Sequence, residues 1–232
     1  MQNTDGRNYY AIRTYFIKDS AQLALVESYI ENYALPALNR MGIEAVGAFL
    51  EMDRAEKQSL RVLIPYPSLD MIQAAGDIFG NQASLTAGRG YLDAPKEAPA
   101  YERFQCSLFS AFVGMPQIRV PAKKDRIFEL RRYESHSEVK AKKKIEMFNT
   151  AEIDIFLECG LTPVFFGEAI VGERMPNLTY MLVFDDLEHQ TRTWQSFLYS
   201  PEWKGLSGRE EYKDTVSEIT QTMLVPTSYS QV

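Results

Sequence analysis

Phe128-Glu129-Leu130-Arg131-Arg132-Tyr133 repeats the physical pattern of Tyr10-Ala11-Ile12-Arg13-Thr14-Tyr15, at an offset of 118 residues (Tyr10 to Phe128). The same offset carries on without a gap from about residue 9 to residue 79. Met41-Gly42-Ile43 falls on Cys159-Gly160-Leu161, Val46 on Val164, Leu60 on Leu178, Leu69 on Leu187 and Phe79 on Phe197. Identities are few, but matched positions carry matched tasks, with glycine at the same helix end and aromatics on the same strands.

Each half reads as strand, long helix, two strands, helix, strand. Residues 8–16 and 126–134, rich in aromatic and branched side chains, are expected to be first strands. Asp19 or Ser20 opens the first helix, and the Ser135…Glu138 capping-box spacing opens its counterpart. Both helices are expected to stop at glycines that accept a left-handed conformation, Gly42 and Gly160. Pro36 should kink or split the first of them. Strand pairs follow at 43–52 with 60–66 and at 161–171 with 178–184, joined by short polar loops. Second helices start near Ser68 and Asp186, and last strands lie near 104–112 and 216–224. Residues 114–125, bounded by Pro116 and Pro121 and ending in charge, form the linker. The β-α-β-β-α-β order is the ferredoxin-like unit, and two such units are expected to pack sheet to sheet around one core.

Composition sets the outer limits. The chain has 232 residues, 25 Lys plus Arg against 31 Asp plus Glu, a net charge of −6 and 45% hydrophobic residues, the balance of a folded globular protein. The charge divides evenly about Pro116, with 10 basic and 13 acidic residues before the linker and 15 and 18 after it. Neither half offers the basic face that a nucleic-acid partner needs. Apolar runs such as Ala45–Leu50 fall far short of the roughly 20 residues of a membrane span. Met1–Gly6 is polar and lacks the apolar core of a signal peptide. The expected location is therefore the cytoplasm, or an exported compartment after removal of a signal. Cys106 and Cys159 match no metal or redox spacing and are expected to be buried thiols.

The second half carries a more specific likeness. Phe128–Tyr133, Lys144-Ile145-Glu146-Met147-Phe148, Gly160–Gly167, Pro176–Phe184 and the Trp194…Phe197…Pro201-Glu202-Trp203 cluster resemble the NIPSNAP domain, in that family's order. The first half resembles a divergent copy. It keeps Arg13 and Tyr15 but has Ala11 in place of Glu129 and Gly76 in place of Trp194. The resemblance implies a bacterial protein with two fused domains, residues 8–113 and 126–232. Its implied class is α+β, with two ferredoxin-like units packed as an intramolecular dimeric α/β barrel. It implies no defined reaction. Related barrels include cofactor-independent monooxygenases and haem-binding enzymes, but that analogy is one of fold alone.

Candidate site residues follow from strand alternation. Ala11, Arg13 and Tyr15 share a face, as do Glu129, Arg131 and Tyr133. Should those faces line the barrel interior, the two arginines would meet near a pseudo-twofold axis. Burying a guanidinium requires a partner; Glu129 serves Arg131, whereas Arg13 has no carboxylate on its strand and would await an anion. His136, just before a helix, titrates near neutrality, yet neither it nor His189 has a metal-ligand cluster around it. Phe165, Phe166, Tyr180, Trp194, Phe197 and Trp203 read as core packing or as a ligand wall. Lys140, Lys142, Lys143 and Lys144 read as a solvated face, with Glu138 and Glu146 as partners of Lys142. Asp185-Asp186 most simply caps the helix after it. No nucleotide-binding loop, nucleophile–base motif or metal set is present, so no cofactor is expected. Three classes stay open: a binder of a small anionic or apolar molecule in the barrel cavity, a cofactor-independent oxygenase or isomerase, and a packed scaffold. Any further association is expected to make a homo-oligomer through outer surfaces.

Overall fold

The computed structural model describes residues 6–52, 58–79 and 85–232. The polar residues 1–5 and the centre of the first strand-pair loop, residues 53–57, lie outside the described residues. The first half runs β1 (Tyr9–Ile17), α1 (Ser20–Tyr29), α2 (Leu35–Arg40), β2 (Gly47–Glu51), β3 (Gln58–Tyr66), α3 (Leu69–Ala75), α4 (Leu85–Leu92) and β4 (Arg103–Ala111). The second half runs β5 (Ile127–Glu134), α5 (Glu138–Met147), α6 (Ile153–Glu158), β6 (Thr162–Val171), β7 (Asn177–Phe184), α7 (Leu187–Tyr199), α8 (Pro201–Ser207) and β8 (Glu218–Pro226). The helices α1 and α2 superimpose in number on α5 and α6 at the 118-residue offset.

Local chemistry sets these boundaries. Asp19 is extended, and its side chain accepts a hydrogen bond from the Gln22 amide at 2.9 Å, satisfying a free donor of α1. In the second half Ser137 does the same for the Lys140 amide, which corrects the expected Ser135…Glu138 box. The Ser135 hydroxyl instead donates to the Thr215 carbonyl. Both long helices end at glycines with positive φ, +79° at Gly42 and +85° at Gly160. Pro36 is not what breaks the first helix. A wider turn separates α1 from α2 at residues 30–34, and an equivalent one separates α5 from α6 at residues 148–152, where the residue matching Pro36 is Asp154. Beyond Tyr199 the chain starts a new helix, α8, because Ser200 caps it and Pro201 occupies its first turn.

All eight strands close one antiparallel barrel in the order β1-β3-β2-β8-β5-β7-β6-β4. The first half supplies β4-β1-β3-β2 and the second β8-β5-β7-β6, joined through β2–β8 and β4–β6. The halves therefore meet edge to edge as well as face to face across one shared interior. Joining the edges gives each outer strand a partner among the described residues. The linker lies along the barrel end, with the Arg119 amide donating to the Val164 carbonyl and the Asn8 amide to that of Pro116.

Alternation then sorts the side chains into three cores. Tyr10, Ile12, Phe49, Phe109, Phe128, Leu130 and Phe165 fill the barrel. Tyr15, Leu60 and Val62 pack outward beneath the first half's helices, and Tyr133, Leu178 and Tyr180 beneath the second's. Arg13 and Arg131 belong to these outward faces. They do not meet inside the barrel as expected; β1 and β5 stand four strands apart in an eight-stranded ring, so each arginine lies under its own helices. One end of the barrel is stoppered by aromatic pairs, Tyr10–Phe165 at 4.8 Å and Phe49–Phe128 at 4.9 Å. The ring of Phe109 crosses Gly167 so closely that a Cβ there would lie 2.7 Å from the Phe109 Cβ. The other end keeps a polar cavity of about 180 Å³.

Candidate functional site

The outward face of β5 and β7 bears a buried polar network. Glu129 is fully buried and accepts from three donors: Arg131 Nη1 at 2.6 Å, Trp194 Nε1 at 2.7 Å and Gln190 Nε2 at 3.0 Å. The Arg131 guanidinium also lies 4.4 Å from the Trp194 ring, a cation–π contact in a desolvated place. Burial works against the charge on Arg131, but Tyr180, Tyr133 and Glu129 together outweigh it and hold its pKa above the usual range. Beside it the Tyr180 hydroxyl donates to Tyr133 Oη at 2.9 Å. Burial raises both phenol pKa values, so both stay protonated at neutral pH.

A second ion pair closes the network from the helices. Lys144 on α5 is 4% exposed and Glu152, in the wide turn after α5, 1%. Lys144 Nζ meets Glu152 Oε2 at 2.6 Å and lies 5.3 Å from the Trp203 ring. Burial pushes the Glu152 carboxyl pKa up, and Lys144 and Arg131 only partly pull it back. Over this floor opens a pocket of about 430 Å³ between sheet and helices. Arg131, Tyr133 and Glu152 lie at its base, and Trp194, Phe197 and Trp203 form its wall. Both tryptophans of the chain face it.

In the first half aromatic rings pack over the equivalent arginine. At the 118-residue offset Glu129, Lys144, Glu152, Tyr180, Gln190 and Trp194 become Ala11, Val26, Ala34, Val62, Ile72 and Gly76; the arginine, the tyrosine and, in the wall, Phe197 as Phe79 persist. Among the described residues Arg13 has no carboxylate partner. Its Nε donates to Tyr15 Oη at 3.1 Å, and the Phe79 and Phe104 rings lie 3.9 and 4.4 Å from its guanidinium carbon. Tyr91 stacks on Tyr29 at 4.0 Å and meets Tyr15 edge-on at 6.1 Å. Tyr101 abuts Tyr15 at 5.7 Å.

Three comparisons place this geometry among known proteins. The NIPSNAP family model matches residues 128–231. Residues 128–231 are a NIPSNAP domain. Among curated proteins none matches this chain. Two solved structures cover it almost whole. A candidate monooxygenase from Lactobacillus acidophilus NCFM is 10% identical with a TM-score of 0.64, covering 95% of this chain and 94% of its own. Another from Fusobacterium nucleatum is 13% identical with a TM-score of 0.63, covering 95% and 93%. At such identities they share the fold. An uncharacterised NIPSNAP-like domain protein from Burkholderia xenovorans is 20% identical over 47% of this chain and 90% of its own, with a TM-score of 0.43.

Within the NIPSNAP domain, Arg131, Tyr133 and Trp194 line one pocket, and Glu129 is buried behind Arg131 and Trp194. His136 stands exposed in the loop before α5. Phe165 points into the barrel, away from the pocket. The lysine cluster divides. Lys142 pairs with Glu168 and Lys143 with Glu146, both at the surface, whereas Lys144 is buried. Neither expected partner, Glu138 or Glu146, takes Lys142, because Glu168 on β6 lies closer to its tip. Asp186 caps α7 through the His189 amide at 2.7 Å, and Asp185 pairs with Lys124. The thiols are not both buried: Cys106 is exposed on β4 and Cys159 half-buried. Among the described residues no cluster of His, Cys, Asp or Glu could hold a metal. No helix among them is long and apolar enough to cross a membrane. The Lys144–Glu152 pair escaped the sequence reading, although its signal was there: Ala141, Lys144, Ile145, Phe148, Glu152, Ile155 and Phe156 share one helical stripe.

Proposed function

We propose that the protein binds a small aromatic molecule carrying an acceptor oxygen, in the pocket between the second sheet and its helices. The observation that carries this reading is the wall of Trp194, Phe197 and Trp203 standing over Arg131. Apolar walls with a few convergent polar groups are the usual make-up of a ligand site. Each buried cation already has its own carboxylate, Arg131 with Glu129 and Lys144 with Glu152. A guest therefore needs to bring an acceptor for the remaining Arg131 N–H groups rather than a full compensating charge.

The wider architecture belongs to the same proposal. The matching strand orders β4-β1-β3-β2 and β8-β5-β7-β6 support two ferredoxin-like domains, residues 8–113 and 126–232, fused so that a dimeric α/β barrel closes within one chain. Fusion replaces the dimerisation of single-domain relatives, and any homo-oligomer would use outer helices.

A second reading, a cofactor-independent oxygenase or isomerase, draws on the Tyr180–Tyr133 hydroxyl pair at the pocket base and on the shared fold with candidate monooxygenases. Such chemistry needs a free base. Both carboxylates at the base are occupied by cations and both phenols stay neutral, which favours binding over proton abstraction. Native mass spectrometry of protein purified from its own host tests the main reading. A retained small molecule at one per chain is expected from the wild type and is lost from Arg131→Ala. Identical bare masses from both, together with no response to added aromatic acids, would contradict it.

A further inference from the structure

We propose, resting on the aromatic-guest reading of the helix-side pocket, that this guest is a hydroxyaryl compound whose hydroxyl donates to Oε1 of Glu152. Glu152 is 1% exposed, yet only one of its two carboxylate oxygens is engaged. Lys144 Nζ donates to Oε2 at 2.6 Å. Among the described residues no donor reaches Oε1, and that oxygen is not sealed in the core. Glu152 lines the pocket of about 430 Å³, so the open oxygen faces it.

The lysine is held behind the pocket wall. Its Nζ also lies 3.4 Å from Met147 Sδ and 4.7 Å from the Phe148 ring, and Lys144 is not among the residues that line the cavity. A carboxylate is acceptor-only, and a buried acceptor left without a donor costs the desolvation of that atom. A donor entering through the pocket meets it. An O–H···O⁻ bond is charge-assisted, and for that reason short and strong.

The surroundings narrow the class of donor. Arg131 balances Glu129 and Lys144 balances Glu152, so these four groups carry no net charge. An ammonium group on the guest would face the Arg131 guanidinium, and a second carboxylate would face Glu152. A neutral hydroxyl meets neither repulsion. The two polar contacts lie at different points of the wall. Trp194 covers the Arg131 guanidinium at 4.4 Å, and Trp203 lies 5.3 Å from Lys144 Nζ, the partner of Glu152. Phe197 packs against both tryptophans, at 5.7 and 4.5 Å. The acceptor oxygen of the guest therefore belongs beside Trp194 and its hydroxyl beside Trp203, with the ring along Phe197.

Three neutral ketones test this: para-hydroxyacetophenone, its methyl ether para-methoxyacetophenone, and acetophenone. In calorimetric titrations the wild type is expected to bind one hydroxy ketone per chain, about tenfold or more tighter than either of the others. An analogue without the hydroxyl leaves the buried acceptor unpaired. The double variant Lys144→Val/Glu152→Ala should bind all three alike. Intermolecular NOEs in the unaltered protein should place the ketone methyl by Trp194 and the ring protons beside the hydroxyl by Trp203, independently of any variant. Equal binding of the three ketones by the wild type would overturn the hydroxyl contact and leave the aromatic pocket standing. Binding of none would overturn both. A preference for the hydroxy ketone that survives in the double variant, or NOEs with the two ends exchanged, would overturn the assignment to Glu152.

Discussion

The helix-facing layers of the two halves start from the same arginine and tyrosine and end differently. Arg131 and Tyr133 sit in a network of Glu129, Tyr180, Lys144 and Glu152 beneath an open pocket. Arg13 and Tyr15 sit beneath aromatic rings, with alanine or valine where those partners would be. The first half shows what the same fold does without a buried network: it packs the space. Buried ion pairs are seldom a source of net stability compared with apolar packing. The network in the second half is thus the feature on which the proposed ligand site rests.

The largest effect expected of any variant comes from splitting the buried pair. Lys144→Ala should lose about 3–5 kcal/mol in chemical denaturation, because Glu152 is left charged or forced to protonate in an apolar place. The double variant Lys144→Val/Glu152→Ala, which copies Val26 and Ala34, should recover most of that loss. If it remains as unstable as the single variant, the two halves are not interchangeable in this layer.

A smaller contrast separates the two arginines. Arg131→Ala should cost about 2 kcal/mol, since Gln190 and Trp194 still serve Glu129 and soften its isolation. Arg13→Met should stay within about 1 kcal/mol of the wild type, the size of its ring contacts. Thermal melts of both variants check this, and equal losses would erase the distinction.

The pH dependence of stability sharpens the comparison further. The folded pKa of Glu152 is raised by burial, so its favourable contribution is complete below the unfolded value of about 4.3 and is lost as pH rises through the folded value. The stability of the wild type relative to Glu152→Gln should therefore fall as pH climbs through that range. Denaturation at a series of pH values checks it; a difference that is flat or rises with pH would contradict the sign.

The smallest effect should be alike in both halves. Asp19→Ala and Ser137→Ala each remove a helix cap and should each cost about 1 kcal/mol, whereas the halves would differ if their helix starts were not equivalent.

Most of the fold was legible because it rests on short-range rules. The 118-residue repeat, the caps at Asp19, Ser68 and Asp186 and the positive-φ glycines are all local, and the NIPSNAP resemblance read from residues 126–226 is borne out over 128–231. Which side of the strand faced the barrel was not legible. Alternation shows that Arg13 and Tyr15 share a face but leaves its direction open, and both faces of these strands are apolar enough to be buried. Lys144 was misread for a related reason. Its neighbours Lys142 and Lys143 made the segment look solvated, and only the helical stripe distinguishes it. The edge-to-edge closure depends on pairings distant in the chain, Phe49 with Pro226 at one seam and Ala111 with Gly167 at the other, which no local pattern encodes.

Of the two helix-facing layers, only that of the second half is expected to bind an aromatic acid. Fluorescence titration with anilinonaphthalene sulfonate, an aromatic acid, addresses it directly, because both tryptophans line that pocket and none lies in the first half. One probe per chain is expected, with energy transfer from the tryptophans. Binding should persist in Arg13→Met and weaken about tenfold in Arg131→Ala. Two probes per chain, or equal weakening by the two substitutions, would contradict it.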